Sequence, residues 1–428
     1  MEFSVENYNN LSLHRANNLF FQEIQYQPSI LNESLKKYLE NNYQIPIQTI
    51  IQLFNLESLN KINSINKIYF IGIGSSYYAV LIAKYFFYKR IKKLFNEFSN
   101  LQVPLIEICE AGEFLYFYNL GERDKDTLIF LISQSGESGE IVKILEKLGN
   151  VKFPKSNIFA ITNTKNSTLD KNSSYSIYLY AGNELSVTNK TYLCTLLVIN
   201  IISSILETYF KLKINGLKLE NSKEIVEKAK EFLKEKLDLI KDQINICISQ
   251  IQNFLSNWNE YSKQFINFIF NKNSSITNLK FINFLGNGTA LSTSGQGALN
   301  TKEIARIYAE SLSISMFNHG CVEIIDENYL AIIISNSEED RISIDRLINN
   351  LINKWKVGKA ILITNSSELK NKYENNNSIF VIFINIENEY LAPIVEIIPI
   401  QILLYTLAEM KNINPGTFKF SSKVTKII

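Results

Sequence analysis

Two stretches of this chain repeat one another, and the repeat limits the possible folds more than any other feature of the sequence. The first copy reads FIGIGSSYYA from Phe70, LIFLISQSGES from Leu128 and FAITNTKNSTL from Phe159. The second reads FLGNGTALST from Phe284, LAIIISNSEED from Leu330 and ILITNSSEL from Ile361. Each copy runs strand, Gly-x-Gly turn, helix, strand, Ser-x-Ser turn, helix, strand. Strands that alternate with helices are joined by crossovers, which predicts a parallel sheet in each copy. The expected architecture is therefore α/β, with two tandem three-layer αβα units.

The copies differ where chemistry is expected. In the first, Ser133-Gln134-Ser135-Gly136-Glu137-Ser138 follows an apolar strand, Leu128–Ile132, and precedes a helical run, Ile141–Leu148. Small hydroxyl residues and a glycine at such a place let backbone N–H groups and the helix N-terminus face an anion, with Ser133, Ser135 and Ser138 as added donors. A serine before a helix is ordinarily an N-cap, which accounts for one serine but not for three with a Gln and a Gly in six residues. The second copy has Ser335-Asn336-Ser337-Glu338-Glu339-Asp340 instead, which loses the glycine and sets three carboxylates where a phosphate would sit. That copy is expected to repel phosphate.

Gly72-Ile73-Gly74-Ser75-Ser76-Tyr77 invites a dinucleotide reading, but the third glycine position is Tyr77, and no acidic residue is seen to end the next strand at the distance a ribose contact needs. The turn reads better as one that presents Ser75 and Ser76 beside the phosphate site. Charge excludes other partners. With 44 basic and 42 acidic residues the net charge is only +2, which gives no reason to expect nucleic acid or an anionic membrane. Cys109, Cys194, Cys247 and Cys321 form no CxxC pair, and the chain has two histidines, so no disulfide framework, metal site or cofactor is expected. The N-terminal MEFSVENYNN lacks the basic start and apolar core of a signal peptide, and stretches such as Leu196–Leu206 read as too short to span a bilayer. A cytoplasmic protein is expected.

Residues 1–65 read as a helical arm, with Phe21-Gln22-Glu23-Ile24 ahead of Pro28 and a helix over Ile30–Leu39. The first unit is expected over 66–210, closing on the apolar helix Thr191–Phe210. Residues 211–277 read as a helical connector, because Ile225, Ala229, Phe232, Leu233 and Leu237 recur among Lys and Glu at helical spacing. The second unit is expected over 278–428, with strands near 281–285, 329–335, 359–363 and 379–384 and a closing helix over Ala392–Met410. After its Gly-x-Gly turn the predicted helix reads GQGALNTKEIARIYAES, which puts Gln296, Asn300, Glu303 and Glu310 on one face. A carboxylate on such a stripe suits general-base chemistry, although many helix carboxylates are merely solvated. His319 lies in Phe317-Asn318-His319-Gly320, a predicted turn, where a lone histidine is more often a surface residue than a catalyst.

Taken together, GIGSSYYA, LISQSGES, the Glu184–Leu193 segment ELSVTNKTYL, GALNTKEIARIYAES, FNHG and LAPIVEIIPIQILLY resemble the double sugar-isomerase (SIS) family, and within it the isomerase half of glucosamine-6-phosphate synthase. The resemblance runs from QEIQYQP at Gln22 to SSKVTK near the C-terminus. It implies that Ser76, Ser133, Gln134, Ser135 and Ser138 hold a sugar phosphate, and that Ser75, Val187, Asn300 and Ser422 line the substrate. Glu303 would be the base that moves a proton between C1 and C2. His319 would assist ring opening and reach the active site of a neighbouring subunit, which implies a homodimer. The C-terminal tail would close over the sugar and bring Lys423 to it.

Departures from the synthase narrow the reading. No glutaminase segment precedes residue 66, so glutamine-dependent synthesis of glucosamine-6-phosphate is not expected. Asn300 replaces a lysine beside the base, and Cys321 replaces the proline of its His-Gly-Pro. The expected activity is a phosphosugar aldose–ketose isomerase or deaminase acting on a hexose-6-phosphate or amino-hexose-6-phosphate. A deglycase of phosphorylated sugar–amine adducts is an alternative, and a non-catalytic phosphosugar sensor is the alternative of a different class.

Overall fold

The computed structural model describes residues 15–56, 65–96, 103–217, 222–270, 276–356 and 358–425. The N-terminal segment MEFSVENYNN, the boundary near residue 65 on its arm side, and residue 221 at the expected start of the long helices lie outside them. The chain forms two compact units, neither continuous in sequence. A first-sheet unit takes in Ser29–Asn183, Thr191–Asn245 and the chain from Val424. A second-sheet unit takes in the chain up to Pro28, Glu184–Lys190 and Ile246–Lys423.

The arm is helical. Helix α1 (Leu19–Gln25) is capped by Asn18, whose side-chain oxygen accepts from Phe21 N at 2.8 Å. Helix α2 (Gln27–Phe54) is interrupted at Glu40–Tyr43, where Asn41, Asn42 and Tyr43 take left-handed backbone angles. The predicted Ile30–Leu39 helix is the part of α2 before this break.

The first-sheet unit holds β1 (Lys67–Gly72), α3 (Ser75–Asn96), β2 (Leu105–Glu110), α4 (Ala111–Phe117), β3 (Thr127–Ile132), α5 (Gly139–Asn150), β4 (Ile158–Thr162), α6 (Thr168–Asn172), β5 (Tyr175–Tyr178) and nearly all of α7 (Lys190–Ile214). Its strands are parallel in the order β2-β1-β3-β4-β5. Every residue of β3 and β4 is buried, as parallel strands covered on both faces require, and this is why they read as unbroken apolar runs. On one face Ile71, Ile129 and Leu131 pack with Ile141, Ile144 and Leu148 of α5. On the other, Phe70 stacks on Phe130 at 4.8 Å and on Phe87 of α3 at 5.5 Å.

The long amphipathic helices expected between the sheets are α8 (Ser222–Ser256) and α9 (Trp258–Ile269). The second-sheet unit then holds β6 (Phe281–Leu285), α10 (Ala290–Asn300), β7 (Tyr308–Leu312), α11 (Ile314–Asn318), β8 (Leu330–Ser335), α12 (Arg341–Asn349), β9 (Lys359–Thr364), α13 (Ser367–Tyr373), β10 (Ile379–Phe383) and α14 (Ala392–Met410). Its parallel strands run β10-β9-β8-β6-β7. Starting from β7, this is the order of the first sheet, so the sequence repeat is a repeat of topology.

Two expectations fail. The predicted helix through Ser311 stops early: α10 ends at Asn300, one π-helical turn covers Thr301–Ala305, and Arg306 takes a left-handed angle before the chain enters β7. Glu310 therefore lies on a strand, paired in register with Asn283, and is not on the face of Gln296. The membrane reading of the apolar stretches also needs a different reason. Helices α7 and α14 are long and apolar enough to cross a bilayer, but 94% and 89% of their most apolar windows are buried inside the protein, so they are core helices. Length did not exclude them; burial does.

Candidate functional site

In each sheet the strand order reverses between two neighbours, β1 and β3 in the first, β6 and β8 in the second. Crossovers leave in opposite directions there, opening a crevice at the carboxyl ends of the strands where ligands of such sheets bind. The first crevice is edged by Ser75 and Ser76, which start α3 after β1, and by the serine turn after β3.

The serine turn is held from below. Ser133 is buried, and its Oγ lies 3.0 Å from Ser138 Oγ and accepts from Gly136 N at 3.1 Å. Ser135 Oγ accepts from Glu137 N at 3.1 Å. The Gln134 carbonyl accepts from Asn163 N and from the Thr164 hydroxyl, and Glu137 takes both the N–H and the hydroxyl of Thr168. Ser138 stands at the N-cap of α5 but makes no capping bond, so the helix start leaves its hydroxyl with Ser133. The first N–H of α5, Gly139, donates instead to the Thr425 carbonyl at 3.0 Å. Gly136 has a φ of +66°, and a Cβ there would lie 2.1 Å from Ser167 Oγ. Only glycine fits this turn.

Strand β2 ends in an acidic residue, Glu110, but 36 positions beyond Gly74, where a ribose contact needs about 20, so the reading against a dinucleotide motif stands. The Glu110 carboxylate is used locally, accepting from Glu113 N at 2.9 Å to cap α4.

A second constellation lies in the second-sheet unit. Gln296 Nε2 donates to Asn300 Oδ1 at 2.8 Å, and Asn300 Nδ2 donates to Glu303 Oε2 at 3.4 Å. Glu303 sits on the π-helical turn, a local widening that is common at functional sites. Burial pushes its carboxyl from the usual range up to about 7, against the opposing pull of Lys423, the Asn300 hydrogen bond and Lys302, with Glu184 adding to the rise. Lys423 donates to Glu184 Oε2 at 2.7 Å and to the Ser186 carbonyl at 2.8 Å. The resemblance brings Lys423 to the sugar and gives no role to Glu184, the buried carboxylate that holds it. The only signal for Glu184 is its place in the Glu184–Leu193 motif. Val187, in the same segment, is buried and donates its N–H to the Gly416 carbonyl at 3.4 Å. Ser422 is exposed beside Lys423 in sequence. His319 ends α11 with its imidazole exposed and without a hydrogen-bond partner among the described residues, so the structure brings Gln296, Asn300, Glu303 and Lys423 together but leaves His319 apart.

The SIS domain is matched twice, over residues 61–202 and again over 275–410. The chain belongs to the SIS family. It carries two SIS domains. Glutamine–fructose-6-phosphate aminotransferase [isomerizing] of Clostridium tetani is 27% identical to it over 388 residues, 90% of this chain and 55% of that protein. The chain thus spans about half the length of the curated relatives it matches. Among solved structures, the C-terminal domain of glucosamine-fructose-6-phosphate aminotransferase from Francisella tularensis superposes with a TM-score of 0.70 at 23% identity, covering 93% of this chain and 98% of that one. Glucosamine-6-phosphate deaminase from Thermotoga maritima gives 0.52 at 18%, covering 92% and 98%. These two likenesses are of fold.

The crevice of the second SIS domain is built on acid. Asn336 Nδ2 donates to Glu396 Oε1 at 2.8 Å, the Thr293 hydroxyl donates to Glu396 Oε2, and the Thr289 hydroxyl donates to Asn336 Oδ1 at 3.0 Å. Burial pushes fully buried Glu396 up to about 7, against the Thr293 and Asn336 hydrogen bonds. Burial does the same to Asp340, with Glu339 and Glu389 adding to the rise. Glu396, on the closing helix, is the one carboxylate of the LAPIVEIIPIQILLY motif, and the sequence reading gives it no role.

Gly136→Ala is expected to lower stability to urea by about 1–3 kcal/mol, because its φ is left-handed and its Cβ would meet the Ser167 hydroxyl. Glu396 has a folded pKa above its unfolded value, so the folded state holds that proton more tightly. Its contribution to stability is greatest below about pH 4.5 and declines as pH rises to about 7, by on the order of 3 kcal/mol. Glu396→Gln keeps an acceptor for Asn336, gives the Thr293 hydroxyl an amide N–H to accept from, and removes this loss. Urea melts at about pH 5 and pH 8 should show the variant gaining on the wild type at the higher pH.

Proposed function

We propose that this SIS protein is a phosphosugar aldose–ketose isomerase or deaminase acting on a hexose-6-phosphate or amino-hexose-6-phosphate. The observation that carries the reading is Glu303: a largely buried carboxyl raised to about 7, oriented by Asn300 and set against the Lys423 charge. A group with that pKa can accept and return a proton near neutral pH, which is what transfer between C1 and C2 of an open-chain sugar needs. In the deaminase direction, proton return to C1 of the enolamine gives a C2 imine, which water hydrolyses to the ketose with release of ammonia. The turn at Ser133–Ser138, with Ser75 and Ser76, is assigned to the phosphate, and Val187 and Ser422 to the sugar. Asn300 stands where the synthase carries a lysine; in this reading Lys423 supplies the local cation instead, and no metal or organic cofactor takes part. His319 is assigned to ring opening in the site of a second copy, so the active form is a cytoplasmic homodimer. The names of the relatives, an isomerizing aminotransferase and a glucosamine-6-phosphate deaminase, support this class of reaction.

The test is incubation with glucosamine-6-phosphate and with fructose-6-phosphate, following ammonia release and ketose–aldose interconversion in parallel. Ammonia release identifies a deaminase and interconversion alone an isomerase; binding without turnover of either sugar would overturn the proposal. Where turnover is found, Glu303→Gln should lower kcat by about 100-fold or more and leave phosphosugar affinity within about threefold, since the base acts in the transition state. Glu303 must be ionised to act as a base, so kcat/KM should rise with pH through about 7.

A further inference from the structure

Glu23, in the N-terminal arm, is buried, and its carboxylate accepts from every donor that the 185–189 segment turns towards it. Oε1 accepts from Leu185 N at 2.6 Å. Oε2 accepts from Ser186 N at 3.3 Å, from the Ser186 hydroxyl, and from Asn189 Nδ2 at 3.0 Å. Four donors on one buried carboxylate are more than packing a helix needs, since α1 is already capped by Asn18 and Glu23 lies near its end. The segment they fix is the one that holds Lys423. Asn189 N donates to Glu184 Oε1 at 2.9 Å, while Lys423 donates to Glu184 Oε2 and to the carbonyl of Ser186. The bonds form a closed ring, from Glu23 to Asn189, Glu184, Lys423, Ser186 and back to Glu23.

We propose that Glu23 is a positioning residue for Lys423: by fixing both the backbone and the side chain of Ser186 and the amide of Asn189, it sets where the lysine ammonium stands relative to Glu303. The arm is then part of the reaction machinery of the second SIS domain. Lys423 is the strongest influence opposing the rise of the Glu303 carboxyl, so displacing the ammonium lets that carboxyl rise further. The lysine placement stands on the hydrogen-bond ring alone; its consequence for proton transfer rests on the reading of Glu303 as base.

The experiment uses Glu23→Gln and Ser186→Ala in the full chain. The amide of the first variant turns a donor towards donors, and the second removes only a hydroxyl, so it remains the test if the first fails to fold. Both are labelled with sulfosuccinimidyl acetate at limiting reagent, well below their unfolding midpoints, and acetylation of Lys423 is read by peptide mass spectrometry. Lys147, bonded to the carbonyls of Leu115 and Tyr118 in the other unit, is the internal reference. Lys423 is expected to label at least about threefold faster in the variants with Lys147 unchanged. Where turnover is measurable, kcat should fall about tenfold, KM should stay within about threefold, and the limb near pH 7 should move to higher pH. Unchanged labelling of Lys423 in a folded variant overturns the proposal. Faster labelling in a protein that turns over no phosphosugar supports the positioning role while removing the proposed function, so the two fail separately.

Discussion

A strand cannot run parallel to its neighbour through a hairpin; the chain must cross over the sheet face and return, and in this protein the crossovers are helices. Both sheets and both crevices trace back to that constraint. Because crossovers leave in both directions from β1 and β3, and again from β6 and β8, each sheet has a crevice at its carboxyl edge, lined by the turns that begin α3 and α5 in one unit and α10 and α12 in the other. The strands flanking the crevice are buried to their last residue, which makes them rigid supports for short polar turns. The second glycine of each Gly-x-Gly turn takes nearly the same left-handed angle, +56° at Gly74 and +58° at Gly288. The duplicated backbone thus presents one framework twice.

Chemistry separates the copies. The first crevice has hydroxyls, a glycine-dependent turn and a helix start. The second has Asp340 and Glu396, both carried upward by burial, among neutral hydrogen-bond donors. Glu303 belongs to neither turn. It stands on the helix that comes after the second Gly-x-Gly turn, where a single π-helical turn and a left-handed Arg306 end α10 and redirect the chain into β7. An undisturbed α-helix would have continued to Glu310; the early stop leaves Glu303 near the helix end, beside Asn300 and the Lys423–Glu184 pair.

The strands were legible because a strand covered on both faces must be apolar throughout: β6, β8, β9 and β10 fall within a residue or so of the segments read from the sequence. Strand β7 was not legible. Its sequence YAESL carries a charge and continues a good helical pattern. The serine turn was legible because its composition exceeds what an N-cap needs. The roles of Glu23, Glu184 and Glu396 were not, although each lies in a quoted motif, since the donors a carboxylate meets are fixed only when the chain folds.

By itself the sequence determined that there are two parallel α/β units and that one Ser-x-Ser turn is rich in hydroxyls where the other carries three carboxylates, and its resemblance to the SIS family pointed to Glu303 as the candidate base. These are properties of local pattern, fixed by side chains close together in the chain. The tertiary structure decided what each carboxylate can do. Glu303 is raised by burial and steadied by Lys423, which is 120 positions away, and Lys423 is held by a ring that begins at Glu23 in the arm. Desolvation and hydrogen bonding act through space between residues distant in sequence, so the charge state of a carboxyl exists only once the chain has folded around it.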